Sequence, residues 1–262
     1  MQQITSRSNA KIKQVRALRQ RKARQEAHLF LVEGIRHVGE AMDAGAVVES
    51  IFFAPEILKS EFAAGLIELQ EKNGVACYSL PVDIFNDLTE KENPQGILAV
   101  VYQPEHRLEE LKPDLSPWIV GLVSPQDPGN VGAILRTIDA VGASGLVVLD
   151  SGLDLFHPAL VRASMGTLFW YPVIQAAFAD FRAWAIEHAY HVFGSSAKAD
   201  CGYLEARPYA TPRILLLGSE REGLNDEQRR FCDRIVSLPM KGHASSLNLS
   251  VAAGVLLYSM LD

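Results

Sequence analysis

Along the chain, apolar residues alternate between short continuous runs and helix-spaced stripes. LFLVEG from Leu29 reads as a strand and IRHVGEAMDAG as a helix closing at a Gly cap. VESIFFA predicts a strand, PEILKSEFAAGLIELQEKNG a helix, VACYSL a strand, PVDIFNDLTEKEN a helix and GILAVVY a strand. QPEHRLEELKPDLSP then breaks the rhythm with charge and three prolines, as a linker does, with room for a short helical turn in HRLEELK. From Trp118 the alternation resumes: strand WIVGLV, loop PQDPGN, helix VGAILRTIDAVGA, strand GLVVLD, a helical HPALVRASMGTLFW and strand YPVIQA. Helix FADFRAWAIEHAY, strand HVFGSSA, a loop, strand RILLLGS, short helix NDEQRRFC, strand RIVSLPM and a closing helix from Leu247 complete it. Near-continuous apolar strands between helices predict a mostly parallel sheet covered on both faces. The expectation is therefore an α/β chain of two units, with residues 1–103 as one domain, 104–116 as linker and 117–262 as the second.

The 262 residues are 48% hydrophobic, which is ample for two cores, and no run reaches the length of a membrane span. Cys77, Cys201 and Cys232 lie far apart without a CxxC, which argues against a disulfide framework or a cysteine zinc site and fits a reducing cytoplasm. His157, His191 and His243 have no metal-like spacing, so no metal is expected. The net charge of −6 conceals an asymmetry: residues 1–25 hold eight basic residues and no acidic one. These are Arg7, Lys11, Lys13, Arg16, Arg19, Arg21, Lys22 and Arg24. Ile12, Val15 and Leu18 recur every three residues, predicting an amphipathic helix capped near Ser8 or Asn9. Basic charge at one end suits a polyanion such as a nucleic acid, gripped through its phosphates. A solvated face, or a mitochondrial presequence, would look similar, but this helix runs without a linker into LFLVEG.

In parallel α/β sheets ligands gather at the carboxyl ends of the strands. Two strand-to-helix loops there are rich in Gly and polar residues: SPQDPGNVGAILRT (124–137) and LLLGSEREGL (215–224). A third stretch, LPMKGHASSLNLSVAAGVLLY (238–258), sets Ser245, Ser246 and Asn248 at the mouth of a buried helix, where one N-cap would need only one of them. The first loop also imitates a dinucleotide fold, with Asp150 about where a ribose-binding acid should stand, which keeps an NAD(P)-dependent oxidoreductase as an alternative. Against it, the glycines read GNVG, without GxGxxG spacing.

The order DPGNVGAILRT, LLLGSEREGL, LPMKGHASSLNLSVAAGVLLY resembles the three motifs of the SpoU (TrmH-like) branch of the SPOUT RNA methyltransferases. KIKQVRALRQRKARQEAHLFLVEGIRHVGEA and NPQGILAVV more loosely resemble the ribosomal-protein-like substrate-binding domain that precedes it. The resemblance implies a parallel-sheet domain with a C-terminal trefoil knot, a homodimer through that domain, S-adenosylmethionine as cofactor and a ribose 2′-hydroxyl as acceptor. Ribosomal RNA of the large subunit is the expected substrate and transfer RNA the alternative. It also implies that Leu217, Gly218, Leu238, Met240, Ser246 and Leu247 hold the cofactor, and that Asn130, Arg136, Glu220, Ser246 and Asn248 carry the chemistry. Arg136 takes the place of the arginine cast as base; a guanidinium has a pKa above ~12 and no acceptor lone pair. Two roles therefore stand: a base with a strongly depressed pKa, or a cation stabilising the alkoxide and gripping a phosphate. Arg162 and Ser164 read equally as RNA contacts or dimer support. Arg221 stands where many family members have Gly.

Overall fold

The computed structural model describes residues 1–90, 93–199 and 201–261, and divides the chain into two compact units, 1–104 with 156–170 and 105–155 with 171–262. In chain order the first holds β1 (Gln2–Gln3), α1 (Ala10–Ala17), α2 (Arg21–Ala27), β2 (Leu29–Glu33), α3 (Ile35–Asp43), β3 (Val48–Phe53), α4 (Glu61–Lys72), β4 (Ala76–Ser79), α5 (Val82–Asn86) and β5 (Ile97–Tyr102). Its sheet runs β1-β4-β3-β5-β2, parallel where β4 meets β1 and β3, antiparallel on both sides of β5.

The expected amphipathic helix forms with Asn9 as its cap, accepting from Lys11 N (2.9 Å), and buries Ile12, Val15 and Leu18. It is two helices rather than one. Arg24 on α2 turns back, and its Nη1 donates to the Leu18 and Arg19 carbonyls, both at 2.7 Å, at the end of α1. Those carbonyls have no helical partner, so a buried cation there replaces the hydrogen bonds that a continuing helix would make. Helix α4 likewise begins at Glu61, not Pro55, because the Ser60 side chain accepts from Ala63 N (3.3 Å) and caps it there. The expected helix PVDIFNDLTEKEN is the shorter α5; its continuation over Lys91 and Glu92 lies outside the described residues.

The second unit runs β6 (Trp118–Val123), α6 (Pro128–Val141) and β7 (Gly145–Leu149); α7 (Pro158–Ala163) packs with the first unit. Then come β8 (Val173–Ala176), α8 (Phe178–Glu187), β9 (His191–Ser195), β10 (Cys201–Gly202), β11 (Arg213–Leu217), α9 (Asp226–Phe231), β12 (Arg234–Ser237) and α10 (Leu249–Ser259). HPALVRASMGTLFW does not stay helical, because Met165 and Gly166 take positive φ and end α7 before a short 3-10 turn at Thr167–Phe169. A Cβ on Gly166 would come within 2.6 Å of the Glu40 side chain, so glycine is required. The sheet is parallel throughout, in the order β10-β12-β9-β11-β6-β7-β8. Every residue of β6, β7 and β11 is buried, as strands covered on both faces must be. This order, with the 238–248 segment leading into α10 against α6, fits the expected knot.

Candidate active site

Strands β9, β11 and β6 are neighbours, with β12 beside β9, so their carboxyl ends bring four loops to one edge of the second unit. After β6, Asp127 is the N-cap of α6. Its Oδ1 accepts from Gly129 N (2.6 Å) and Asn130 N (3.4 Å), with Pro128 in the first turn. That places Asn130 at the head of the helix. After β11 the chain makes a tight hairpin: Gly223 N donates to the Ser219 carbonyl (3.0 Å) and Glu222 N to Ser219 Oγ (3.2 Å). A Cβ on Gly218 would lie 2.1 Å from the Gly223 carbonyl carbon, so only glycine lets the two arms close. Gly218→Ala is expected to force them apart at about 1–3 kcal/mol, a fall of ~3–10 °C in a thermal-unfolding midpoint.

The three stretches singled out in the sequence meet through side chains. Glu220 Oε1 accepts from Asn130 Nδ2 (3.4 Å) and its Oε2 from Gln126 N (3.3 Å). Asn130 Oδ1 accepts from Asn248 Nδ2 (3.0 Å). Asn248 is the N-cap of α10, its Oδ1 accepting from Ser250 N (2.9 Å), Ser250 Oγ (2.6 Å) and Val251 N (3.4 Å). The direction of this chain is fixed at both ends. An ionised carboxylate has no proton to give, and helix N–H groups have no lone pair, so both amides can point only one way. Each amide keeps a second N–H, and the arrangement is a pair of oriented donors suited to an oxygen ligand.

Beside it lies a cavity of about 410 Å³, within the range of a small-molecule site. Its walls contain every residue expected at the cofactor: Leu217, Gly218, Leu238, Met240, Ser246 and Leu247, and Glu220 as well. Asn130 and Asn248 stand outside the wall, joined to it through Glu220. Arg136 is exposed on α6 and does not line the cavity. Ser195, Ser196 and Ala197, after β9, form a wall that sequence reasoning missed; Arg221 and Glu222, in the 215–224 loop already singled out, line it too. The signal was the small-residue end of HVFGSSA; only the strand order shows that it reaches this edge.

The dinucleotide alternative loses its key residue. Asp150 Oδ1 accepts from Phe178 N (2.9 Å) and so serves the start of α8, and the cavity wall includes no residue of 124–137. Among the described residues, no group of three or more His, Cys, Asp or Glu is placed to hold a metal ion, and no helix is long and apolar enough to cross a membrane.

In the first unit much of the basic segment is already paired. Arg7 binds Asp83 (2.9 Å) and Asp87 (2.6 Å), Arg16 also reaches Asp87 (3.1 Å), and Arg19 donates to the Asp87 carbonyl (3.1 Å). Hydrogen bonding from Arg7 holds the Asp87 carboxyl below the usual carboxylate range. Lys11 pairs with Glu49, and Lys22 lies 3.8 Å from Glu26. Arg24, expected at RNA, is only 2% exposed and is instead the strut between α1 and α2. Lys13, Arg21 and Lys22 face solvent. Arg162 pairs with Glu90 (3.3 Å), and its carbonyl accepts from His37 Nε2 (3.2 Å). Ser164 is fully buried, donating to the Val161 carbonyl (2.8 Å), and so does not meet RNA.

The profile of the SpoU rRNA Methylase family matches residues 117–258. The chain belongs to the SpoU rRNA methylase family. The profile of the MRM3-like substrate binding domain matches residues 9–99. Among SpoU relatives, the 23S rRNA (guanosine(2553)-2′-O)-methyltransferase RlmP of Bacillus subtilis is 31% identical over 260 residues, 99% of each chain. The 23S rRNA (uridine(2479)-2′-O)-methyltransferase of Streptomyces viridochromogenes is 34% identical over 263 residues, 97% of this chain and 90% of the relative. Among solved structures, an AdoMet-bound rRNA methyltransferase from Sinorhizobium meliloti superposes with a TM-score of 0.88 at 30% identity, over 99% of this chain and 97% of that one. The SpoU methyltransferase AviRb from S. viridochromogenes, in complex with the cofactor AdoMet, gives 0.84 at 31%, over 97% of each.

Proposed function

We propose that this SpoU chain transfers a methyl group from S-adenosylmethionine to a ribose 2′-hydroxyl of 23S ribosomal RNA. The observation that carries the reading is the Asn248–Asn130–Glu220 chain beside a cavity that holds all six expected cofactor residues. The cavity fits the cofactor chemically: apolar side chains of Leu238, Met240, Leu247 and Leu249 suit an adenine ring, and charged groups on the 219–223 hairpin suit an amino-acid end. When bound, the cofactor supplies a methyl group on a positively charged sulfur, open to in-line attack.

The residues of the chain do the rest. The hairpin and the 238–247 segment bind and orient. The oriented N–H groups of Asn130 and Asn248 hold the acceptor oxygen and stabilise the charge that develops as its proton leaves. Arg136 either removes that proton as a neutral guanidine, or as a cation stabilises the alkoxide and grips the neighbouring phosphate while the proton passes to solvent. Ser246, at the cavity wall, positions the hydroxyl. In the first unit the exposed Lys13, Arg21 and Lys22 contact RNA phosphates, a salt-sensitive contribution.

The proposal includes a homodimer through the second unit. Val251 (51% exposed), Val255 (39%) and Tyr258 (55%) lie four and three residues apart on one face of α10. A second copy would cover that stripe, as interface cores require. It also includes a cytoplasmic location, which the three free thiols fit.

The test is incubation with S-adenosylmethionine labelled in its methyl group, with 23S ribosomal RNA and transfer RNA offered separately. Label in 23S RNA at an alkali-resistant phosphodiester, the mark of a blocked 2′-hydroxyl, is the expected result. Label confined to transfer RNA, to a base, or absent from both would overturn the reading.

A further inference from the structure

The cavity wall is divided. Leu238, Met240, Leu247 and Leu249 make one part apolar, whereas Glu220, Arg221 and Glu222 sit together on the hairpin after β11. Among the described residues Arg221 is the only basic one on the wall; Lys198 and Lys241 follow the wall residues Ala197 and Met240 in sequence but do not line it. Glu220 is already engaged by Asn130 and Gln126. Among the described residues the Arg221 side chain has no ion pair or hydrogen bond. Its backbone position is nonetheless set by the Ser219–Gly223 bridge and the close approach at Gly218.

An S-adenosyl ligand is divided in the same way, with a flat ring at one end and an ammonium and a carboxylate at the other. Ring against the apolar wall directs the amino-acid end to the hairpin. There the carboxylate meets two like charges and one cation, and like charges at close range repel. We propose that Arg221 receives the α-carboxylate of the S-adenosyl cofactor, through the forked guanidinium that matches carboxylate geometry. The inference rests on the cavity being the cofactor site.

The experiment is calorimetric titration of the whole chain with two probes that differ only in the carboxylate. These are S-adenosylhomocysteine and S-adenosyl-3-thiopropylamine, which keeps the amine. Wild type should prefer the first. Arg221→Ala should weaken S-adenosylhomocysteine about tenfold, leave the decarboxylated probe within about twofold and leave the unfolding midpoint unchanged, since the side chain is exposed. Arg221→Lys should fall between. Equal loss for both probes, no loss for either, or a collapse of the difference in Lys241→Ala instead would overturn the assignment. So would a loss confined to RNA binding, which would make Arg221 a phosphate contact. Failure of wild type to bind either probe is a separate outcome: it removes the cavity as cofactor site and the inference with it.

Discussion

Replacing Asn248 by Asp is expected to lower methyl-transfer turnover about 10²–10³-fold, the range for loss of one oriented donor at a developing oxyanion, while the helix it caps stays in place. Asp keeps the oxygen that accepts from Ser250 N and Val251 N, so α10 retains its cap. What it loses is Nδ2, which donates to Asn130 Oδ1 at 3.0 Å. Two acceptors would then face each other, in a chain that already ends at the Glu220 carboxylate. Either the contact opens or the Asn130 amide flips, and a flipped amide turns its oxygen toward Glu220; each outcome destroys the orientation of the remaining donor, Asn130 Nδ2. Asn248→Ala is a poorer probe because it also removes the cap, at about 1 kcal/mol. Single-turnover methyl transfer beside thermal unfolding reads the two effects apart. Turnover within about threefold of wild type would sink the donor role that the chain of amides suggests.

The parts of this site that the sequence reveals are those whose meaning is local. Continuous apolar runs at Trp118, Gly145 and Arg213 announce buried parallel strands. Asn130, Glu220 and Asn248 sit in recognisable stretches, and helix caps such as Asn9 and Asn248 are visible from residue type alone. What was hidden depends on partners far along the chain. Eight cations without an acid in residues 1–25 look like a free basic face, yet Arg7 and Arg16 are answered by Asp83 and Asp87, and Lys11 by Glu49. Arg24 reads as one more surface charge until its guanidinium is seen closing the end of the preceding helix. Ser195–Ala197 carry no motif and become a wall only because β9 lies next to β11. Strands β1 and β10, two residues each, are too short for any periodicity to register. Asp150 shows the converse error: its spacing suggested a ribose, but its geometry serves the first N–H of α8.

Arg136→Ala should separate chemistry from cofactor binding. The side chain is exposed on α6, away from the cavity wall, so its removal should leave S-adenosylhomocysteine affinity within about twofold and stability within about 0.5 kcal/mol. Turnover should nevertheless fall by about 10²-fold or more, because a positioned cation or base at the reacting oxygen has no substitute among the neutral amides of Asn130 and Asn248. Arg136→Lys keeps the charge but not the planar fork, so only partial recovery is expected if the guanidinium spans both the ribose oxygen and a phosphate. Full recovery in the lysine variant would reduce the role to a point charge. A parallel loss of cofactor affinity and turnover in Arg136→Ala would move the residue to the cofactor site, against its exposed position outside the cavity lining. Near-normal turnover would remove it from the reaction and leave the amide pair, with Ser246, to activate the hydroxyl unaided.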